Sequence, residues 1–346
     1  MRIHRRSSIT AALAVVTALG LSACSGTAEP EAVATATVVV ENAKPAFMAS
    51  DDTTATDQTV VDYSLPSESV EVPFRPTSVI TFDLATLDTL DALGLGAAVV
   101  GIPEAVLPEY LAEYAELPTV GTLFEPDFEA VAELNPDLIV TAARSSSAYD
   151  ELAEITTTID LTAAAGGAFD PAAAIVRATQ LGEIFGAEDA VADLVGDIET
   201  RIDEISALAP DAGSALMLIV TGGEYGAYAE GSRFGYFFDE LGFTSAVPAA
   251  ELPGAEGSPH GDVVSNEFIF SVDPDWLLVL DRGAATGEAT GDSAAAEVLD
   301  NELVGATTAA QEDQIIYLPA SELYIVISGL TAVGNVLDAV VAGLEG

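Results

Sequence analysis

From about residue 70 onward, two kinds of apolar pattern alternate along the chain. One is the short continuous run, as at 78–82, 97–102, 215–221 and 314–318, which predicts a strand buried on both faces. The other has apolar residues at three- and four-residue spacing, which predicts an amphipathic helix. Asp83 is a good N-cap for such a helix carrying Leu84, Leu87, Leu90 and Leu93, ended by Gly94 and Gly96. Further helices are predicted over 108–116, 149–155, 189–208, 234–241, 294–299 and 329–344, with short strands at 70–72, 120–122 and 159–161. The longest helical signal opens at Asp170-Pro171. It puts Ile175, Ala178, Leu181, Ile184 and Phe185 on one face before Gly186 stops it. Strands alternating with helices imply βαβ units. The predicted fold is α/β with two lobes, each a mainly parallel sheet flanked by helices. No stretch of linker composition separates the lobes, so one long rigid helix, 169–186, is expected to join a first lobe (60–168) to a second (187–346).

One template occurs twice. Glu129 to Arg144 and Glu267 to Arg282 both read Glu, six residues, Pro-Asp, six residues, Arg. The first part is helix-like, Pro-Asp breaks it, and the second part is an apolar strand ending at an arginine. In an open α/β sheet, ligands sit at the carboxyl ends of the strands. Two halves that each present one arginine there suggest a cleft for an anion. Ordinary turn chemistry would also put Pro-Asp before a strand and leave the arginines on the surface; the repetition in register favours the cleft.

Composition sharpens this picture. The 346 residues are half apolar, enough for two real cores, but the formal net charge is −46, from 56 acidic and 10 basic residues. That balance argues against nucleic acid or an anionic membrane surface as partner, since both need basic patches. The acidic excess itself reads as a solvated surface. Residues 1–23 have the form of an export signal: Arg2, Arg5 and Arg6, then an apolar run at 9–21 shorter than the about 20 residues that span a bilayer. The run ends Leu21-Ser22-Ala23-Cys24, which resembles the bacterial lipobox, with cleavage before Cys24 and a diacylglyceryl group on its sulfur. A buried cysteine following the signal by chance is the plain alternative. Cys24 is the sole cysteine, so an intramolecular disulfide is impossible. Residues 24–59, rich in Ala, Thr, Glu, Asp and Pro, are expected to be a flexible lipid-anchored spacer, although Val38-Val39-Val40 has strand composition. Removing the signal leaves 10 − 3 = 7 basic side chains: Lys44, Arg75, Arg144, Arg177, Arg201, Arg233 and Arg282.

Catalytic arrangements find little support. Past the signal His260 is the only histidine, which excludes a histidine cluster for zinc. Lys44 is the only lysine and sits in the spacer, so no phosphate-cradling glycine loop with its lysine is present. A serine nucleophile would need His260 as its base, and no serine sits in an elbow motif. Carboxylate pairs carry no information among 56 acids.

Binding is better supported. Gly231-Ser232-Arg233-Phe234-Gly235 puts an arginine in a loop before a helix, Ser258-Pro259-His260-Gly261 puts the histidine in a turn, and Tyr324 follows the strand ending at Leu318-Pro319. Together with Phe82-Asp83, the run Leu87-Asp88-Thr89-Leu90-Asp91-Ala92-Leu93-Gly94, Asp127-Phe128-Glu129 through Arg144, and Asp281-Arg282, these motifs carry a family resemblance. From about residue 79 to 340 the chain resembles the class III solute-binding lipoproteins of iron-siderophore ABC importers, nearest the branch that takes ferric catecholates such as petrobactin or enterobactin fragments.

The resemblance implies a monomeric receptor on the extracytoplasmic face of the membrane, anchored through Cys24. It would capture a ferric siderophore between its lobes and deliver it to an ABC permease, with no cofactor and no catalysis. Arg144, Arg233 and Arg282 would form a cationic triangle around the ligand, with Tyr228 lining the pocket. His260 and Tyr324 match positions that complete iron's coordination when the siderophore leaves sites open; a water-exposed turn histidine is the equal alternative for His260. Glu129 and Glu267 would meet arginines of the permease, although the helix dipole alone favours an acid in a first turn. The rival readings are a receptor for another iron chelate (hydroxamate, mixed-ligand or haem) and, from another class, an extracellular enzyme using His260 as base.

Overall fold

Two sheets built from those apolar runs form the centres of two lobes. In the first, the strand order is Thr119–Thr122, Val99–Glu104, Val79–Thr81, Leu138–Thr141, Thr158–Asp160, and every pairing is parallel. Val79, Leu138 and Val140 face one core while Ile80 and Ile139 face another, so the continuous runs reflect burial on both sides. The second sheet runs Asp262–Val264, Glu224–Tyr228, Ser214–Thr221, Trp276–Asp281, Ile315–Tyr317, with Thr244–Ser245 beside the start of Ser214–Thr221. Its middle is parallel and its edge antiparallel. A hairpin between Ser214–Thr221 and Glu224–Tyr228 turns through Gly222 and Gly223, with φ of 57° and 89°, the left-handed pair that a two-residue hairpin turn requires.

The computed structural model describes residues 36–43, 46–48, 60–62, 68–162, 168–253, 261–287 and 294–346. The export signal, Cys24, Lys44 and His260 lie outside the described residues.

The repeated template has a physical reason in the fold. Glu129 and Glu267 each occupy the second position of a short helix, Phe128–Leu134 capped by Asp127 and Asn266–Val272 capped by Ser265. Each helix stops at a left-handed residue, Asn135 (φ 46°) and Asp273 (φ 47°), side chains that tolerate this conformation better than most. The aspartate after each proline then ties down the start of the neighbouring strand. Asp137 accepts the N–H groups of Thr77 (3.0 Å) and Ser78 (3.1 Å), and Asp275 accepts that of Ser214 (2.7 Å). Helix, left-handed stop, aspartate clamp and buried strand thus recur in both lobes, and each strand leads to its arginine.

The helix Pro171–Phe185 shares both lobes. Ala174 and Ala178 belong to the second lobe's main core, and Leu181, Ile184 and Phe185 to the first lobe's. Asp170 caps it, and Gly186, left-handed at φ 63°, ends it before the 25-residue helix Glu188–Ala212 begins. Two sequence expectations need correction. The segment 108–116 is a 3-10 helix, Glu109–Glu116, in which Leu111 and Tyr114, one three-residue turn apart, are the buried residues. The expected spacer is not all spacer: Thr37–Asn42 pairs antiparallel with Glu68–Pro73. Val40 enters the first lobe's core, and buried Asn42 accepts the Asp160 N–H at 2.5 Å and donates to the Tyr149 hydroxyl at 2.9 Å.

Candidate functional site

Tyr324 is the point on which the cleft residues gather. It lies in a π-helical turn, Glu322–Val326, whose wider winding is closed by the Ile327 N–H donating to the Glu322 carbonyl at 2.7 Å. The next residue, Ile327, has φ 63° and ψ −65°, a strained geometry for a β-branched side chain.

Arg282 reaches Tyr324 from the second lobe. It is the first residue of the helix Arg282–Thr286, directly after the strand Trp276–Asp281, and Asp281 caps that helix by accepting the Ala284 N–H. The Arg282 Nε donates to the Tyr324 hydroxyl at 2.8 Å, and its guanidinium carbon is 5.4 Å from the ring centre. Arg233, from the loop before Tyr236–Asp239, stands 5.2 Å from the same ring centre and 4.9 Å from that of Phe234. Both distances are within cation–π range. Tyr228, at the end of Glu224–Tyr228, meets Phe234 edge to face at 4.8 Å. Burial pushes the Tyr228 phenol up to about 12, while Arg233 and Arg282 pull it the other way, so it lies within the field of both cations.

Arg144 arrives from the first lobe. The strand Leu138–Thr141 ends just before it, and Ala143, at φ 44°, turns the chain so that the side chain crosses to the second lobe. Its Nη2 donates to the Tyr324 carbonyl at 2.8 Å and its Nη1 to the Ile325 carbonyl at 3.1 Å. Burial, reinforced by the charge of Arg233, holds this guanidinium below the usual arginine range. The cavity beside it is lined by Phe82, Asp83, Arg144, Arg177, Ile325 and Ser328 among others, and measures about 40 Å³, more than the about 10–15 Å³ that one water needs.

The other described arginines are used elsewhere. Arg177 pairs with Asp83 at 2.7 Å and also donates to the Leu161 carbonyl. Arg201 pairs with Asp338 on the surface, and Arg75 donates to the Phe185 carbonyl at 3.1 Å. Half of the six described arginines therefore meet at one tyrosine, in a chain of net charge −46.

The structure thus brings together Arg144, Arg233, Arg282, Tyr228 and Tyr324. Glu129 and Glu267 stand apart from this group, exposed in the first turns of equivalent helices of the two lobes. Among the described residues no three His, Cys, Asp or Glu side chains gather as a metal site. Sequence reasoning missed Phe234 as the ring beneath Arg233, although it is the neighbour in the motif. It also missed the Asp83–Arg177 pair, which joins residues 94 apart and leaves no local signal.

This two-lobed α/β architecture, with a polar cluster between sheets, is that of a solute receptor, and residues 79–322 match the periplasmic binding protein family, to which the chain belongs. Among its relatives is the petrobactin-binding protein YclQ of Bacillus subtilis, 34% identical over 320 residues, covering 91% of this chain and 97% of the relative. The crystal structure of that protein superposes with a TM-score of 0.72 over 82% of this chain and 96% of its own. A TroA-like periplasmic binding protein of Xylanimonas cellulosilytica matches at 33% identity and TM-score 0.74, over 90% of this chain and all of the other (100%). The periplasmic catecholate-siderophore binding protein VctP of Vibrio cholerae matches at 31% identity and TM-score 0.70, over 80% and 96%.

Proposed function

We propose that this protein captures a ferric siderophore, an anionic catecholate, between its lobes and delivers it to an ABC permease. The observation that carries the reading is the gathering of Arg144, Arg233 and Arg282 around Tyr324. Three like charges repel when brought together, and an anion between them reverses that cost. A ferric tris-catecholate carries three negative charges, and a charge-assisted hydrogen bond contributes about 1.5–3 kcal/mol. The acidic surface opposes such a ligand at long range, but charges beyond about 8 Å are largely screened at physiological salt. The relatives named for petrobactin and for catecholate siderophores support the same ligand class.

In this reading Arg233 and Arg282 contact the chelate, Arg144 adds its charge while holding the turn, and Tyr228 lines the pocket. Tyr324 and His260 serve iron directly only where the siderophore leaves coordination sites open. Glu129 and Glu267 dock arginines of the permease, each beside an exposed aromatic, Phe128 (41% exposed) and Phe270 (45%). The receptor works as a monomer tethered outside the membrane through lipid on Cys24, and it binds without catalysing.

Calorimetry tests the ligand class better than fluorescence, because Trp276, the only tryptophan, sits at the amino end of its strand, away from Arg282. Ferric petrobactin and ferric enterobactin should bind and a neutral ferric hydroxamate should not. The reverse order of affinity overturns the proposal.

A further inference from the structure

The closing helix Leu330–Glu345 begins at Gly329, which has no side chain to cap it. The first N–H groups of a helix lack partners within it, and here the other lobe supplies them. Asp88, on the first-lobe helix Leu84–Ala92, accepts the Thr331 N–H on Oδ1 at 2.9 Å and the Ala332 N–H on Oδ2 at 3.0 Å. Its neighbour Thr89 accepts the Leu330 N–H at 3.4 Å. The Asp88 side chain is fully buried, and the Tyr110 hydroxyl donates to its Oδ2 at 2.6 Å. Gly329 is required by this approach and not by its own backbone, since its φ is an ordinary −77° while an added Cβ would stand 2.3 Å from the Asp88 Cγ.

Just upstream lies the strained turn that carries Tyr324. Arg144 holds its carbonyls at Tyr324 and Ile325, and Asp88 holds the N–H groups that follow it. The first lobe therefore grips the stretch from residue 324 to 332 of the second lobe at both ends. Between the grips Ile327 keeps a backbone geometry that persists only where its surroundings impose it.

We infer that Asp88 is a positioning residue of the binding site: by capping the closing helix from the opposite lobe, it fixes the turn that aims Tyr324 at Arg233 and Arg282. The ferric-chelate reading is needed only for the affinity half of the test.

The test compares the full chain with Asp88→Ala, first without ligand. Hydrogen–deuterium exchange should rise tenfold or more both at Leu330, Thr331 and Ala332 and at Ile327, whose N–H closes the Tyr324 turn, while Leu138–Thr141 and Trp276–Asp281 keep their protection. Calorimetry with ferric petrobactin should then give an affinity about tenfold weaker, although Arg233 and Arg282 are untouched. A purely stabilising cap would lower the melting temperature yet leave both the exchange of Ile327 and the affinity unchanged, which overturns the inference. Should the unaltered chain bind no ferric chelate, the reading of the ligand fails and the exchange at Ile327 still decides the role of Asp88. If Asp88→Ala does not fold, Gly329→Ala, which displaces the carboxyl without deleting it, makes the same comparison.

Discussion

The Arg282 Nε donates to the Tyr324 hydroxyl at 2.8 Å, while Arg144, from the other lobe, holds the carbonyl of that same tyrosine at 2.8 Å. Side chain and main chain of one residue are thus tied to opposite halves of the molecule. Tyr324→Phe keeps the ring for Arg233 but removes the acceptor for Arg282. A hydrogen bond to a charged group contributes about 1.5–3 kcal/mol when both partners are buried, and this one is half-buried. The predicted loss is roughly fivefold in affinity for ferric petrobactin, about 1 kcal/mol, measured by calorimetry on folded protein.

Beneath the cleft, Arg177 is 4% exposed and paired with Asp83. Removing one partner of a buried pair strands the other, at a cost of about 3–5 kcal/mol. Asp83 retains the Thr86 N–H (2.9 Å) and hydroxyl (2.8 Å), so Arg177→Met is expected at the lower end of that range in chemical denaturation. Arg201→Met, at the exposed pair with Asp338, should cost under about 1 kcal/mol.

How far the sequence reached depended on whether a feature is local. The template announced both lobes because helix, stop, aspartate clamp and strand are consecutive in the chain, and it put Arg144 and Arg282 at strand ends. The Arg-Phe-Gly loop likewise pointed to Arg233. What stayed hidden joins distant residues. Val38-Val39-Val40 has strand composition, but nothing local names its partner, Glu68–Pro73. Asp88 looks like one more acid on a helix, since its partners Thr331 and Ala332 are more than two hundred residues away. Nor does any periodicity foretell a π turn at Tyr324 or the Arg144 bonds to its backbone. Those depend on how the two lobes meet.

Stability should carry a pH signature from Asp88. Burial raises its pKa from 3.8 to about 7, against the hydrogen bonds from Tyr110, Thr331 and Ala332; Asp91 raises it further, and Glu322 faces Tyr110. A group raised on folding binds its proton more tightly in the native state, so its contribution is complete below about 3.8 and is lost as pH rises through about 7. Between those values the slope from this one group is at most about −1.4 kcal/mol per pH unit. The stability of the unaltered chain relative to Asp88→Asn should therefore fall from pH 5 to pH 8 in paired melts. A difference that does not change with pH contradicts the assignment.

Glu129 and Glu267 occupy equivalent exposed positions in the two lobes, each second in a short helix. Replacing both with alanine should leave siderophore affinity within twofold, about 0.4 kcal/mol, and abolish uptake by cells expressing the cognate permease. Uptake at the original rate would remove the glutamates from the docking reading.

The account rests most heavily on two guanidinium groups that face one phenol. Its most direct test is the affinity of Arg233→Ala and Arg282→Ala for ferric petrobactin, titrated by calorimetry on folded protein of unchanged melting temperature. Each should bind at least tenfold more weakly, about 1.4 kcal/mol, whereas affinities equal to that of the unaltered chain would contradict the account.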